Sequence, residues 1–70
     1  MAPSSRHDVI PRIVRIMETL SRADDLLSIR DIEERTGIPR TTVHRFLRSL
    51  KQEDWVYQDP ITENFRTGIR

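Results

Sequence analysis

The segment from Thr36 to Gln52 constrains this chain more than any other. It opens with Thr36-Gly37-Ile38-Pro39, a short turn, and continues as Arg40-Thr41-Thr42-Val43-His44-Arg45-Phe46-Leu47-Arg48-Ser49-Leu50-Lys51-Gln52. At about 100° per residue, Val43, Phe46, Leu47 and Leu50 share one helical face, and Thr41, Arg45, Arg48 and Gln52 share the opposite one. Thr42, His44 and Ser49 flank that second face. Arg40, Arg45, Arg48 and Lys51 meet no acidic residue between positions 39 and 52. The spacing predicts a basic amphipathic helix over about residues 39–53, with Pro39 at its first position, where a fixed φ helps. Gly37 is suited to end a preceding helix in the left-handed conformation, and Ile38 to plug the turn. Helix, tight turn and basic helix in that order make a helix-turn-helix, the arrangement that places a helix in the major groove of DNA.

The rest of the chain supplies a frame for this unit. Residues 1–7 lack periodicity and read as a disordered tail, leaving 8–70 as the folded domain. Asp8 can cap a first helix with Pro11 in its first turn, and Val9, Ile13, Ile16, Met17 and Leu20 then recur at helical spacing. Ser28 with Asp31 has the spacing of a capping box, which opens a second helix over about residues 29–35 with Ile29 and Ile32 inward. Trp55 to Gln58 and Phe65 to Thr67 are β-prone, and the turn-rich stretch from Asp59 to Asn64 between them is of hairpin length. The expected fold is mainly α: a three-helix winged helix-turn-helix whose C-terminal β-hairpin, about residues 55–68, forms the wing.

Size and composition exclude much else. Seventy residues make one small domain with no room for a second core. The absence of cysteine removes disulfides, thiolate zinc sites and thiol chemistry. His7 and His44 are the only histidines, too few and too far apart for a metal site. The sequence offers no clustered carboxylate pair in a plausible cleft, no glycine-rich phosphate loop and no Ser-His-Asp set, so no catalytic activity, cofactor or metal is expected. No apolar run approaches the roughly 20 residues of a membrane helix, and residues 1–7 lack the apolar core of a secretory signal. A soluble cytoplasmic protein is expected. The formal net charge of +1 says little, but its distribution is polarised. Asp24, Asp25, Asp31, Glu33 and Glu34 stand against Arg30 alone between 24 and 34, whereas residues 39–52 are purely basic. One basic surface of this kind attracts polyanions.

Three stretches together carry a family resemblance: Leu27 to Ile32, Thr36 to Leu47, and Trp55-Val56 with Asp59-Pro60. Over about residues 9–68 the chain resembles the amino-terminal domain of IclR-type bacterial transcriptional regulators. That resemblance implies a winged helix-turn-helix that binds double-stranded DNA at a near-palindromic operator, with a homodimer or higher assembly in the full-length protein. It also implies a small-molecule effector bound by a carboxy-terminal domain, which is absent from this chain. The main dimerisation module would be absent too, so a monomeric state stays open here. Two departures bear on the backbone. Asp54 stands where the family usually has glycine, so a non-glycine residue is expected in the left-handed region. Glu63-Asn64 replaces a glycine-containing wing tip, with Asn64 the residue suited to positive φ.

The candidate DNA contacts are Ser28, Arg40, Thr41, Thr42, His44, Arg45, Arg48 and Arg66. Thr41 and Thr42 fall in the first turn of the basic helix, where hydroxyls and backbone N–H groups can meet phosphates or base edges. Arg45, one turn on, has the reach for the O6 and N7 of a guanine, and Arg48 for the backbone or a flanking base. His44 flanks this face. Arg40 has two competing roles, a phosphate clamp or an ion pair with an acid of the second helix. Ser28 is a helix cap first and a phosphate contact second. Arg66 is a candidate for the minor groove, against pairing with Glu63 or Asp59. Trp55 and Tyr57 are expected in the core rather than stacked on bases. The rival reading is a winged helix used as a protein-interaction module, which would present apolar residues on its third helix.

Overall fold

The computed structural model describes residues 5–68, with side chains from residue 9 onward. Helices α1 (Ser5–Arg22), α2 (Ile29–Thr36) and α3 (Arg40–Gln52) precede strands β1 (Val56–Gln58) and β2 (Phe65–Thr67). The two strands pair antiparallel with Val56 opposite Thr67, Tyr57 opposite Arg66 and Gln58 opposite Phe65. Leu27 adds a bridge on the other edge of β2, exchanging both backbone hydrogen bonds with Phe65 at 2.8 and 2.7 Å. This bridge ties the segment before α2 to the wing, and thereby fixes the hairpin against the helices.

α1 starts ahead of the expected Asp8 cap. Residues 5–7 of the expected tail are helical, while residues 1–4 lie outside the described residues. Pro11 is therefore in the second turn, where its missing N–H removes one bond of the helix.

Each element contributes its apolar face to one core. Ile16 and Leu20 come from α1, Leu27 from the bridge, Ile32 from α2, Ile38 from the turn, Val43 and Leu47 from α3, and Val56 and Phe65 from the wing. Met17, Ile29, Phe46 and Leu50 pack around them half-buried. Burying a side chain of this size contributes about 1.5–3 kcal/mol, so the orientation of α3 is set mainly by Val43 and Leu47.

Helix ends are determined by specific hydrogen bonds. Ser28 Oγ accepts the Asp31 N–H at 3.0 Å and Asp31 Oδ2 accepts the Ser28 N–H at 3.1 Å, closing the capping box. Gly37, at φ 76°, ends α2 with its N–H on the Glu33 carbonyl. α3 ends with the Asp54 N–H on Lys51 and the Trp55 N–H on Leu50, a Schellman pattern whose left-handed residue is Asp54 at φ 65°. That meets the expectation for Asp54. In the wing loop the left-handed residue is Glu63, at φ 64°, and not Asn64. The cause is Asp59: its Oδ2 takes the N–H groups of Ile61 and Thr62 and the Thr62 hydroxyl, which fixes the turn one residue earlier.

Trp55 and Tyr57 do not join the core. They are 53% and 40% exposed, because β1 turns Val56 inward and a strand sends the neighbours of an inward residue out. Gly68 makes this register possible. Its N–H bonds the Trp55 carbonyl at 2.8 Å, and a Cβ there would lie 2.5 Å from the Asp54 carbonyl oxygen.

Candidate nucleic-acid interface

The exposed side of α3 is an almost straight stripe. Thr41, Arg45, Arg48 and Gln52 lie at intervals of four, three and four residues and are all exposed. The 1.5 Å rise per residue makes this stripe roughly 16 Å long, and a helix of about 10–12 Å diameter matches a major groove about 12 Å wide. His44 is exposed on its flank, and Thr42 is half-buried beside it. Gln52, at the end of the stripe, is a fourth surface position not named among the candidate contacts, although the same spacing identifies it.

The amino end of α3 is open. Its N-cap is Pro39, at φ −56° and ψ 146°, which offers no side-chain cap, and the first turn holds no acid. The first backbone bond of the helix runs from Val43 N–H to the Pro39 carbonyl at 2.9 Å. Among the described residues, the N–H groups of 40, 41 and 42 therefore have no acceptor and emerge where Thr41 and Thr42 stand. Such an end favours anions through both the unbonded donors and the helix dipole. By contrast, the amino end of α2 is occupied by its own Asp31 carboxylate.

The candidate residues divide by what already holds them. Thr41, Thr42, His44, Arg45 and Arg48 make no side-chain hydrogen bond or ion pair among the described residues. Ser28 is engaged in its capping box. Arg40 Nε lies 3.4 Å from Glu33 Oε1, so the ion pair with the second helix is the role seen. Arg66 pairs with neither Glu63 nor Asp59. Its guanidinium lies over the Tyr57 ring, 4.7 Å from the centroid, a cation–π contact between cross-strand partners.

Two interactions not foreseen hold the unit in position. Lys51 Nζ donates to Gln58 Oε1 at 2.9 Å, and Gln58 Nε2 donates to the Glu63 carbonyl at 3.1 Å, which links the end of α3 to the wing loop. Thr36 is the buried polar residue of the turn. Its hydroxyl donates to the Ile32 carbonyl at 2.7 Å and accepts the Ile38 N–H at 3.1 Å. No spacing rule marks Lys51 or Gln58, whereas a threonine just before a glycine cap is a detectable sign of such a turn.

Among the described residues, two carboxyls are shifted. Asp31 is held below the ordinary 3.8, chiefly by the Ser28 backbone N–H and then by its side chain. Asp59 is lowered by the Thr62 backbone N–H, then the Thr62 hydroxyl, and less by Ile61. Both are structural hydrogen bonds in turns and caps, away from the α3 stripe.

Among the described residues, no helix is long and apolar enough to cross a membrane. The model of the IclR helix-turn-helix domain matches residues 9–60. Among solved structures, the chain is similar to an IclR transcriptional regulator from Alicyclobacillus acidocaldarius, at 33% identity and a TM-score of 0.80, over 89% of this chain and 25% of that one. Pseudomonas aeruginosa HmgR is similar at 25% identity and a TM-score of 0.79, over 84% of this chain and 24% of that one. An IclR family transcriptional regulator from Brucella abortus, 21% identical over 89% of this chain and 24% of that one, shares the fold with a TM-score of 0.81. The chain spans about a quarter of the length of these relatives. From the matched domain and the first of these relatives together, the chain belongs to the IclR helix-turn-helix family, the DNA-binding domains of transcription regulators.

Proposed function

We propose that this domain binds double-stranded DNA sequence-specifically, with α3 in the major groove and the wing beside the minor groove. The observation that carries this reading is the stripe of Thr41, Arg45 and Arg48, exposed and, among the described residues, without partners. A cation already paired inside the protein must give up its partner before it can meet DNA; Arg45 and Arg48 have nothing to give up. In this reading Arg45 meets guanine, Arg48 the backbone or a flanking base, and Thr41 and Thr42 join the open amides on a phosphate. His44 lies at the groove edge, Ser28 near the backbone, and Arg66 enters from the wing. Phosphate contacts supply most of the affinity and make it salt-dependent.

The full-length protein is proposed to be a cytoplasmic regulator, dimeric or larger, on a near-palindromic operator, with any effector bound outside this domain and no catalytic role. The rival protein-docking role loses support on α3 itself. Among the described residues, the large exposed apolar ones are Ile10, Val14, Trp55, Tyr57 and Ile61, and none of them is on that helix. The test is a titration of the isotopically labelled domain with a mixed-sequence duplex, followed by backbone amide shifts. Shifts concentrated at residues 40–48 and around Arg66, reversed by salt, are expected. Absent or evenly spread shifts at low salt would overturn the reading.

A further inference from the structure

Arg40 stands at the open end of α3 but is not free. Its Nε is 3.4 Å from Glu33 Oε1, across the turn and seven residues earlier. Arg45 and Arg48, on the same helix, have no such partner among the described residues. Arg40 also lines a cleft between the first turn of α2 and the wing residues Thr62, Glu63 and Asn64. Glu63, the acid that lines that cleft, makes no ion pair with Arg40; the acid that holds this guanidinium is Glu33.

We propose that Glu33 is an internal competitor for the DNA backbone: it holds Arg40 away from phosphate and lowers the affinity of the domain for any duplex. This rests on the DNA-binding reading above. A carboxylate and a phosphate offer the guanidinium the same oxyanion chemistry, so a phosphate that takes the Nε edge of Arg40 must displace Glu33 from it. The side chains of Arg40 and Glu33 are 63% and 37% exposed, which makes the pair weak and readily exchanged rather than locked. Phosphate contacts carry no sequence information, so Glu33 adjusts affinity while the base-reading positions keep their choice. A second ion pair, Arg30 with Glu34 at 3.5 Å, is local to α2 and supplies a control acid one residue away.

The experiment measures binding to a mixed-sequence duplex across a salt series for the wild type, Glu33→Gln, Arg40→Gln, the double variant and Glu34→Gln, with circular dichroism to establish folding. Glu33→Gln is expected to bind about two- to fivefold tighter, the scale of an exposed ion pair, and the gain should vanish when Arg40 is also Gln. The slope of log affinity against log salt should steepen by up to about 0.9, the value of one whole phosphate contact, and Glu34→Gln should give the smaller gain. A Glu33→Gln gain that persists without Arg40, or that Glu34→Gln equals, would overturn the proposal, since removal of negative charge alone would then explain it. No gain at all, with wild-type binding intact, would overturn it equally. A wild type that binds no duplex at low salt would overturn the DNA reading itself, and this inference with it.

Discussion

Replacing Thr36 by valine tests how the helix-turn-helix is held together. Thr36 is 8% exposed, and its hydroxyl bridges the last turn of α2 and the start of the turn to α3. Valine has nearly the same shape, so no cavity forms and the steric effect is small. What is lost is the hydroxyl. The Ile38 N–H, which bonds Thr36 Oγ1 at 3.1 Å in a buried setting, is left without an acceptor. The Ile32 carbonyl keeps its place in α2 and loses one donor. An unsatisfied buried donor costs about 1–3 kcal/mol. A domain of this size has a total stability of roughly 4–10 kcal/mol at about 0.05–0.15 kcal/mol per residue, so the change removes a large share. The midpoint of thermal unfolding should fall by about 4–8 °C for each kcal/mol lost. Thr36→Ser keeps the hydroxyl and should cost less. The assay is thermal and urea unfolding followed by circular dichroism, with an unchanged urea slope showing that stability alone has moved. Valine as stable as the wild type, or serine as damaging as valine, would refute the argument that this hydroxyl holds the turn.

Other changes read other parts of the molecule. Arg45→Ala should weaken duplex binding by about 1–3 kcal/mol and relax sequence preference at one position, whereas Arg48→Ala should lower the salt slope by about 0.9 if it meets phosphate; fluorescence anisotropy over a salt series separates the two. Gly37→Ala meets open space and only backbone strain, about 1–2 kcal/mol, while Gly68→Ala drives a Cβ against the Asp54 carbonyl and should lower the unfolding midpoint further. Relieving the left-handed strain by Glu63→Gly should raise stability by about 0.5–1 kcal/mol net of the added freedom of the unfolded chain, measured by urea unfolding. Because Asp31 and Asp59 have folded pKa values below 3.8, their contribution is present above that pH and is lost as pH falls through the lowered folded values. Acid unfolding of Asp31→Asn should therefore depend less steeply on pH below 3.8 than that of the wild type.

The three helices and the hairpin are legible because their signals are local. Apolar spacing marks Ile16 and Leu20, Ile32, and Val43 and Leu47. Ser28 with Asp31 and Gly37 bound α2, and the observed α3 (Arg40–Gln52) lies within a residue of the expected span at each end. The basic stripe is legible for the same reason, since residues four and three apart on a helix must share a face. What the chain order cannot show is which side of a short strand faces in. Trp55, Val56 and Tyr57 alternate, and size alone favours burying the aromatics. Tertiary packing chose Val56, because Gly68 lets the end of the hairpin approach the Asp54–Trp55 backbone and the bridge from Leu27 to Phe65 fixes the other edge. The partners of Arg40 and Arg66 were likewise decided in three dimensions. Glu33 and Tyr57 reach them from other elements, at sequence separations where no periodicity operates. Sequence alone determined that this chain makes a basic helix after a tight turn; only the folded structure decided which of its cations stay unpaired, because pairing depends on distances that exist once the helices and wing have packed.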